Sequence, residues 1–139
     1  MEIVFRRLTA DDGFVLDSVA EDVFDEPIDA RRLADYLAER SHIMMVAIAG
    51  QLVVGQCAAV VHRHPDKATE LYIDEIGVAP EFKRRGIARR LLEDMLALGK
   101  ALGCEEAWVG TESDNQPARG LYETQGATAE AFAMYVIKL

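Results

Sequence analysis

Apolar residues recur along this chain at two periods, and the switching between them sets the order of elements. Ile3 and Phe5 alternate with Val4 and Arg6, so Glu2 to Leu8 is predicted as a strand. Thr9 then stands where a helix N-cap is expected. Asp12 is in the capping-box position and Asp11 in the first turn, so a helix is predicted to about Phe24, ended by Pro27. Leu33, Tyr36 and Leu37 share one face of a second helix, roughly Asp29 to Arg40. Two apolar runs follow, Ile43–Ala49 and Leu52–Val61, joined by Gly50-Gln51 as a tight hairpin turn. Leu71 to Val78 reads as another strand.

From Gly86 the period returns to the helical one: Ile87, Leu91, Met95, Leu98 and Leu102 step by four, four, three and four. Arg89–Glu93 and Arg90–Asp94 are i,i+4 pairs on its outer face, and Gly103 supplies the stop. Ala107–Thr111 is predicted as a strand, Pro117–Gln125 as a short helix ended by Gly126, and Phe132–Leu139 as a final strand. There are no repeats or linkers. The expectation is one α+β domain over residues 1–139, a length that buries a core without disulfides.

Charge narrows the partners. A net charge of −9 argues against nucleic acid, whose phosphates need a basic surface, and favours a cationic small molecule. From Asp11 to Asp29 eight acids precede the first base, Arg31. Such a run is either a solvated helix face or a cation-binding rim. Ile43–Ala49 is too short to span a bilayer, and Met1–Thr9 has no long apolar core for secretion. Cys57 and Cys104 lie in apolar surroundings without metal spacing and read as reduced thiols of a cytoplasmic protein. His62, His64 and Asp66 lack a further ligand cluster and read as a solvated strand end, so no metal is expected.

The chemistry concentrates between Asp74 and Ala88. Two carboxylates, Asp74 and Glu75, sit on a strand that leads through Pro80 into Lys83-Arg84-Arg85-Gly86-Ile87-Ala88 and a long helix. Free amides at a helix N-terminus, the helix dipole and flanking cations together suit a phosphate or pyrophosphate. Neither GxxxxGK[ST] nor GxGxxG is present, which removes P-loop and Rossmann enzymes from consideration.

The loop resembles the [Arg/Gln]-x-x-Gly-x-[Gly/Ala] acetyl-CoA motif of the GNAT N-acetyltransferases, with Lys83, Gly86 and Ala88 in the first, fourth and sixth places. Lys83 departs from the usual Arg or Gln. Ile73 to Pro80 is similar to that family's central strand. Asn115-Gln116-Pro117-Ala118-Arg119-Gly120-Leu121-Tyr122 followed by Gly126 is similar to its Asn-x-x-Ala-x-x-Leu-Tyr motif. The element order matches over nearly the whole chain. Glu70 to Ala88 and Gly126 to Leu139 look most like the short aminoglycoside 3-N-acetyltransferases, with polyamine acetyltransferases next by the strand alone.

The resemblance implies a mixed, mostly antiparallel sheet flanked by helices, with a splayed central strand pair. It implies backbone contacts from Ile76, Gly77 and Val78 to the pantetheine arm of acetyl-CoA. Lys83, Arg84, Arg85, Gly86, Ile87 and Ala88 would lie at the pyrophosphate, and Asn115 and Ala118 near the pantetheine amides. The Tyr122 hydroxyl would stand at the thioester sulfur.

A lysine-like amine has a pKa of about 10.4, so baring its lone pair at pH 7 costs roughly 4.6 kcal/mol. A carboxylate is the natural base. Strict pleating sends the adjacent Asp74 and Glu75 to opposite faces, so only one could serve unless a bulge intervenes. Glu75 is the first choice and Asp74 the second. A ping-pong route through Cys57 or Cys104 has no neighbouring histidine to support it. The alternatives to a small cationic acceptor are a protein or peptide amine, or a non-catalytic acetyl-CoA-binding module. A homodimer is compatible with all of them.

Overall fold

The computed structural model describes residues 2–139. Five strands form one sheet in the order β1-β2-β3-β4-β5: β1 Ile3–Arg7, β2 His42–Ala49, β3 Leu52–His62, β4 Glu70–Val78 and β5 Glu106–Val109. The first four pair antiparallel, and β5 runs parallel to β4. The β2–β3 turn is the expected two-residue one, with Gly50 at φ 64°, a left-handed conformation natural to glycine.

Three helices flank the sheet: α1 Ala30–Ala38, α2 Ile87–Ala101 and α3 Gln116–Glu123. The α1 start is fixed by Asp29, whose side chain accepts from the Arg32 amide at 3.0 Å. One face of α2 packs Ile87, Leu91, Leu92 and Met95 on the sheet with Ile43, Cys57, Leu71 and Ile73. The opposite sheet face carries a second cluster around Leu16, Val23, Val46 and Val53.

Two expected elements take another form. The first helix is reduced to a 3₁₀ turn, Gly13–Asp17. Asp12 accepts from the Thr9 amide (2.8 Å), the Thr9 hydroxyl (2.9 Å) and Arg6 (2.7 Å), which ties the turn back to β1. Beyond it, the Ser18 carbonyl accepts from Val53 N and Ala20 N donates to Val53 O. These bonds to β3 hold the chain extended where a helix would need the same groups internally. The final strand, Phe132–Leu139, is not formed. Residues 127–139 have no ladder partner among the described residues, and an extended segment without one is not a strand.

β4 pairs with β5 only from Glu70 to Ile73. Asp74 to Val78 continues past the parallel partner, leaving the strand pair splayed at that end.

Candidate active site

A β-bulge decides where the acids point. On the β3–β4 ladder Ala58 opposes Glu75 while Ala59 opposes Ile73, so Asp74 is the extra residue. Core packing agrees: Leu71, Ile73 and Val78 lie in the α2-side cluster and Ile76 packs against it, a change of parity across the bulge. Asp74 and Glu75 are thereby placed together on the other face. The condition left open by strict pleating is met.

Burial pushes the Glu75 carboxyl up, and the charges of Asp74 and then Asp25 push it further. The nearby Gln56 carboxamide opposes the rise. Tyr36 of α1 stands within the field of both acids. Its phenol is held well above the ordinary range by burial first, then by Asp74 and Glu75. Its hydroxyl donates to the Ile43 carbonyl at 3.1 Å and its ring stacks on His42.

The loop after the 3₁₀ turn closes over this face. Gln56, 1% exposed, donates through Nε2 to the Val23 carbonyl at 3.2 Å, while its Oε1 is buried without a partner. Gly77 permits the approach: a Cβ there would lie 2.2 Å from the Val23 oxygen, so no other residue fits. Val19, Phe24, Asp25, Glu26 and Ile28 line a groove of about 250 Å³ beside it. Part of the acidic run is therefore a rim rather than a helix face.

At the far end of β4 the chain makes a 3₁₀ turn, Pro80–Phe82, and enters α2. The Lys83 amide is spent on the Pro80 carbonyl at 3.3 Å. Arg84 at φ 65° and Gly86 at φ 78° turn the backbone so that α2 begins with no side-chain cap. Its first amides have no partner within the helix. A Cβ at Gly86 would meet nothing within 4 Å, so the space before them is open. Lys83 and Arg84 are exposed, and Arg85 lies over the Phe82 ring at 4.9 Å. Uncapped amides, open space and three cations fit a pyrophosphate. The unpaired β4 edge fits an extended arm added as a strand.

Helix α3 carries the remaining predicted residues. Asn115 is its N-cap, with Oδ1 accepting from the Ala118 amide at 3.2 Å, which leaves the carboxamide NH₂ to meet a ligand. Tyr122 is half-buried against the α2-side core, and burial raises its phenol pKa, with a smaller push from Cys57. Cys57 is fully buried, and its thiol is pushed up to about 12 by burial and then by Glu75. Buried with a raised pKa, it is suited to packing, since a thiol in apolar surroundings holds little thiolate.

Gln56, Asp25 and Tyr36 belong to no motif of the sequence. Gln56 had a signal, being the one polar side chain inside the apolar run Leu52–Val61. Asp25 was hidden in its acidic run, and Tyr36 read as part of an apolar helix face.

Residues 9–127 match the Acetyltransferase (GNAT) family, and the chain belongs to it. A [ribosomal protein bS18]-alanine N-acetyltransferase of Salmonella typhimurium is 35% identical over 63 residues, 42% of this chain and 43% of that protein. An aminoglycoside acetyltransferase from an uncultured soil metagenomic sample has the same fold over 100% of both chains, with a TM-score of 0.83 and 23% identity. The aminoglycoside acetyltransferase AAC(6')-Iy, solved with a bisubstrate analogue joining CoA to acetylneamine, gives 0.80 at 19% identity over 100% of this chain and 99% of that one.

Proposed function

We propose that this chain is a single-domain enzyme that moves an acetyl group from acetyl-CoA to a primary amine of a small cationic acceptor, of aminoglycoside or polyamine type. The observation that carries the acceptor side is the bulge at Asp74. It sets two carboxylates on one face, with Asp25 and Glu26 at the neighbouring rim. A polycation gains from several carboxylates at once, and only one of its amines has to lose a proton.

Acetyl-CoA, when bound, supplies a thioester carbonyl as the electrophile. Amides from Arg84 to Ala88, with the three cations, hold the pyrophosphate. Ile76, Gly77 and Val78 pair with the pantetheine arm, and Asn115 and Ala118 border it. Glu75, its carboxyl raised by burial and by Asp74, takes the proton from the acceptor ammonium, directly or through a water. Asp74 holds the cation. The Tyr122 hydroxyl gives its proton to the departing thiolate. A cytoplasmic setting, with both cysteines reduced, belongs to this reading.

A second reading, acetylation of a protein N-terminus, is favoured by the partial match to the ribosomal-protein-alanine enzyme. A calorimetric titration with acetyl-CoA, paired with thiol release over a panel of polyamines, aminoglycosides, amino acids and alanyl peptides, tests both. The expected best acceptors carry two or more amines, and their apparent affinity falls as salt rises. A best acceptor that is neutral, with no salt effect, overturns the cationic reading. Absence of acetyl-CoA binding overturns the enzyme.

A further inference from the structure

A polar side chain lies fully buried inside the apolar strand β3. Gln56 sits among Val53, Val54, Cys57 and Ala58, where a hydrocarbon would pack without the cost of taking a carboxamide out of water. Its place in the ladder relates it to the acids. Gln56 stands opposite Gly77 and Ala58 opposite Glu75, so Gln56 and Glu75 are diagonal neighbours on one face of the sheet.

Separate features bring the loop over residues 18–28 down onto that spot. The Asp22 backbone is left-handed, at φ 64°, a conformation uncommon outside glycine, and it turns the chain just before Val23. Such a turn persists where its surroundings over-determine it. Val23 is buried, and its carbonyl accepts from Gln56 Nε2 at 3.2 Å. Gly77 leaves room for both groups: a Cβ there would overlap the Val23 oxygen and lie 3.5 Å from Nε2. Elsewhere the loop is tied by backbone alone, through Ser18 and Ala20 to Val53. Among the described residues, Gln56 makes the one side-chain hydrogen bond that reaches it.

The use of the carboxamide's atoms shows what they serve. The Val23 oxygen can only accept, so the nitrogen faces it. That nitrogen has two hydrogens and Val23 takes one, which leaves the other for the carboxyl beside it. Gln56 accordingly favours the charged form of Glu75. The amide oxygen is left buried without a partner. A side chain kept for packing alone would be apolar and would leave no such atom.

We propose that Gln56 is a positioning residue whose carboxamide joins the loop bearing Asp25 and Glu26 to Glu75, so that acid rim and base keep one geometry toward the acceptor amine. Its part in turnover rests on the acetyl-transfer reading; the joint itself does not. The other groups facing Glu75 are Asp74 on β4, Asp25 on the loop, Tyr36 on α1 and Cys57 on β3. Burial holds Tyr36 and Cys57 neutral wherever a carboxyl titrates.

The test replaces Gln56 by methionine, which keeps the length and removes both donors. The Glu75 side-chain carboxyl, assigned through Glu75→Gln, is followed by ¹³C NMR against pH without substrates. Losing a donor to the charged form should move its midpoint to higher pH. Amides of residues 21–25 should exchange about tenfold faster or more, with circular dichroism unchanged. With spermidine as acceptor, kcat/KM should fall about tenfold, its acidic limb moving in the same direction, while calorimetry shows acetyl-CoA bound as before. Gln56→Asn, too short to span both partners, is read the same way if the methionine variant does not fold. An unmoved Glu75 midpoint overturns the proposal, and so does a rate that falls equally at every pH, the mark of a packing residue. The carboxyl titration uses no substrate, so it decides the joint even where the parent transfers nothing and the acetyl-transfer reading has failed.

Discussion

The chain up to Gly99 and the chain beyond it are built to different standards. The first contains every buried residue, the four antiparallel strands, both carboxylates and the α2 N-terminus. The second contains β5, α3, Asn115 and Tyr122 with no buried side chain among the described residues. Most of the parts proposed to bind cofactor and acceptor, Asn115 and Ala118 excepted, therefore rest on a buried core. The group proposed to protonate the thiolate rests on the more exposed half. Precision of a site follows from the packing beneath it, so the two halves should answer differently to the same kind of change.

The sharpest contrast is in stability. Leu91 is fully buried between α2 and the sheet, so Leu91→Ala should cost about 2–5 kcal/mol in urea unfolding. Leu102, one helix end later and 40% exposed, should cost less than about 1 kcal/mol when cut to alanine. Equal losses would erase the distinction between the halves.

Next in size is cofactor binding. Gly86→Glu places a side chain and a negative charge in the space before the α2 amides. It should weaken acetyl-CoA at least about 100-fold, roughly 2.7 kcal/mol, in calorimetry with the fold intact. Unchanged affinity would remove the cradle from the account.

Tyr122→Phe keeps the ring's packing and deletes one oxygen. Turnover should fall about tenfold or more at saturating acetyl-CoA, with cofactor affinity little changed. A wild-type rate would make Tyr122 a packing residue only.

The smallest effect belongs to Asp12. Hydrogen bonds from the Thr9 amide and hydroxyl, and then Arg6, hold its carboxyl below the ordinary range. A lowered carboxylate contributes stability above its unfolded pKa and loses it as pH falls through the folded value. Asp12→Asn should therefore be less stable than the parent at neutral pH, and the gap should close on acidification. A gap that widens in acid would contradict the assignment.

Where periodicity was long the sequence carried the fold: α2, the β2–β3 hairpin and β4 were legible because a 3.6 or 2.0 repeat ran through them. The helix expected from Thr9 failed because its groups are used elsewhere, by β1 through Asp12 and by β3 through Val53. Those are non-local bonds, which no local pattern records. The strand expected at Phe132–Leu139 failed for a similar reason: alternation and apolarity are local, but a strand exists only where a ladder partner stands beside it. In the site, Asp74, Glu75 and the Gly86 turn were visible as residue types, but their shared face was not. It depends on one extra residue in a ladder, a property of pairing between β3 and β4. Gln56 and Asp25 joined the acids only once the loop through Val23 was folded over them.

The central claim is that Glu75, made a better base by burial and by Asp74 and Asp25, deprotonates a cationic amine. Its carboxyl is raised in the fold, so its ionisation costs stability as pH rises above the unfolded value. Glu75→Gln should then be at least as stable as the parent at neutral pH while being slower. The most direct test is the pH dependence of kcat/KM for a diamine acceptor in the parent and in Glu75→Gln. The account predicts an acidic limb in the parent, displaced upward from the ordinary carboxylate range, and its loss in a variant of much lower rate. A variant with the parent's rate and the same acidic limb would contradict it.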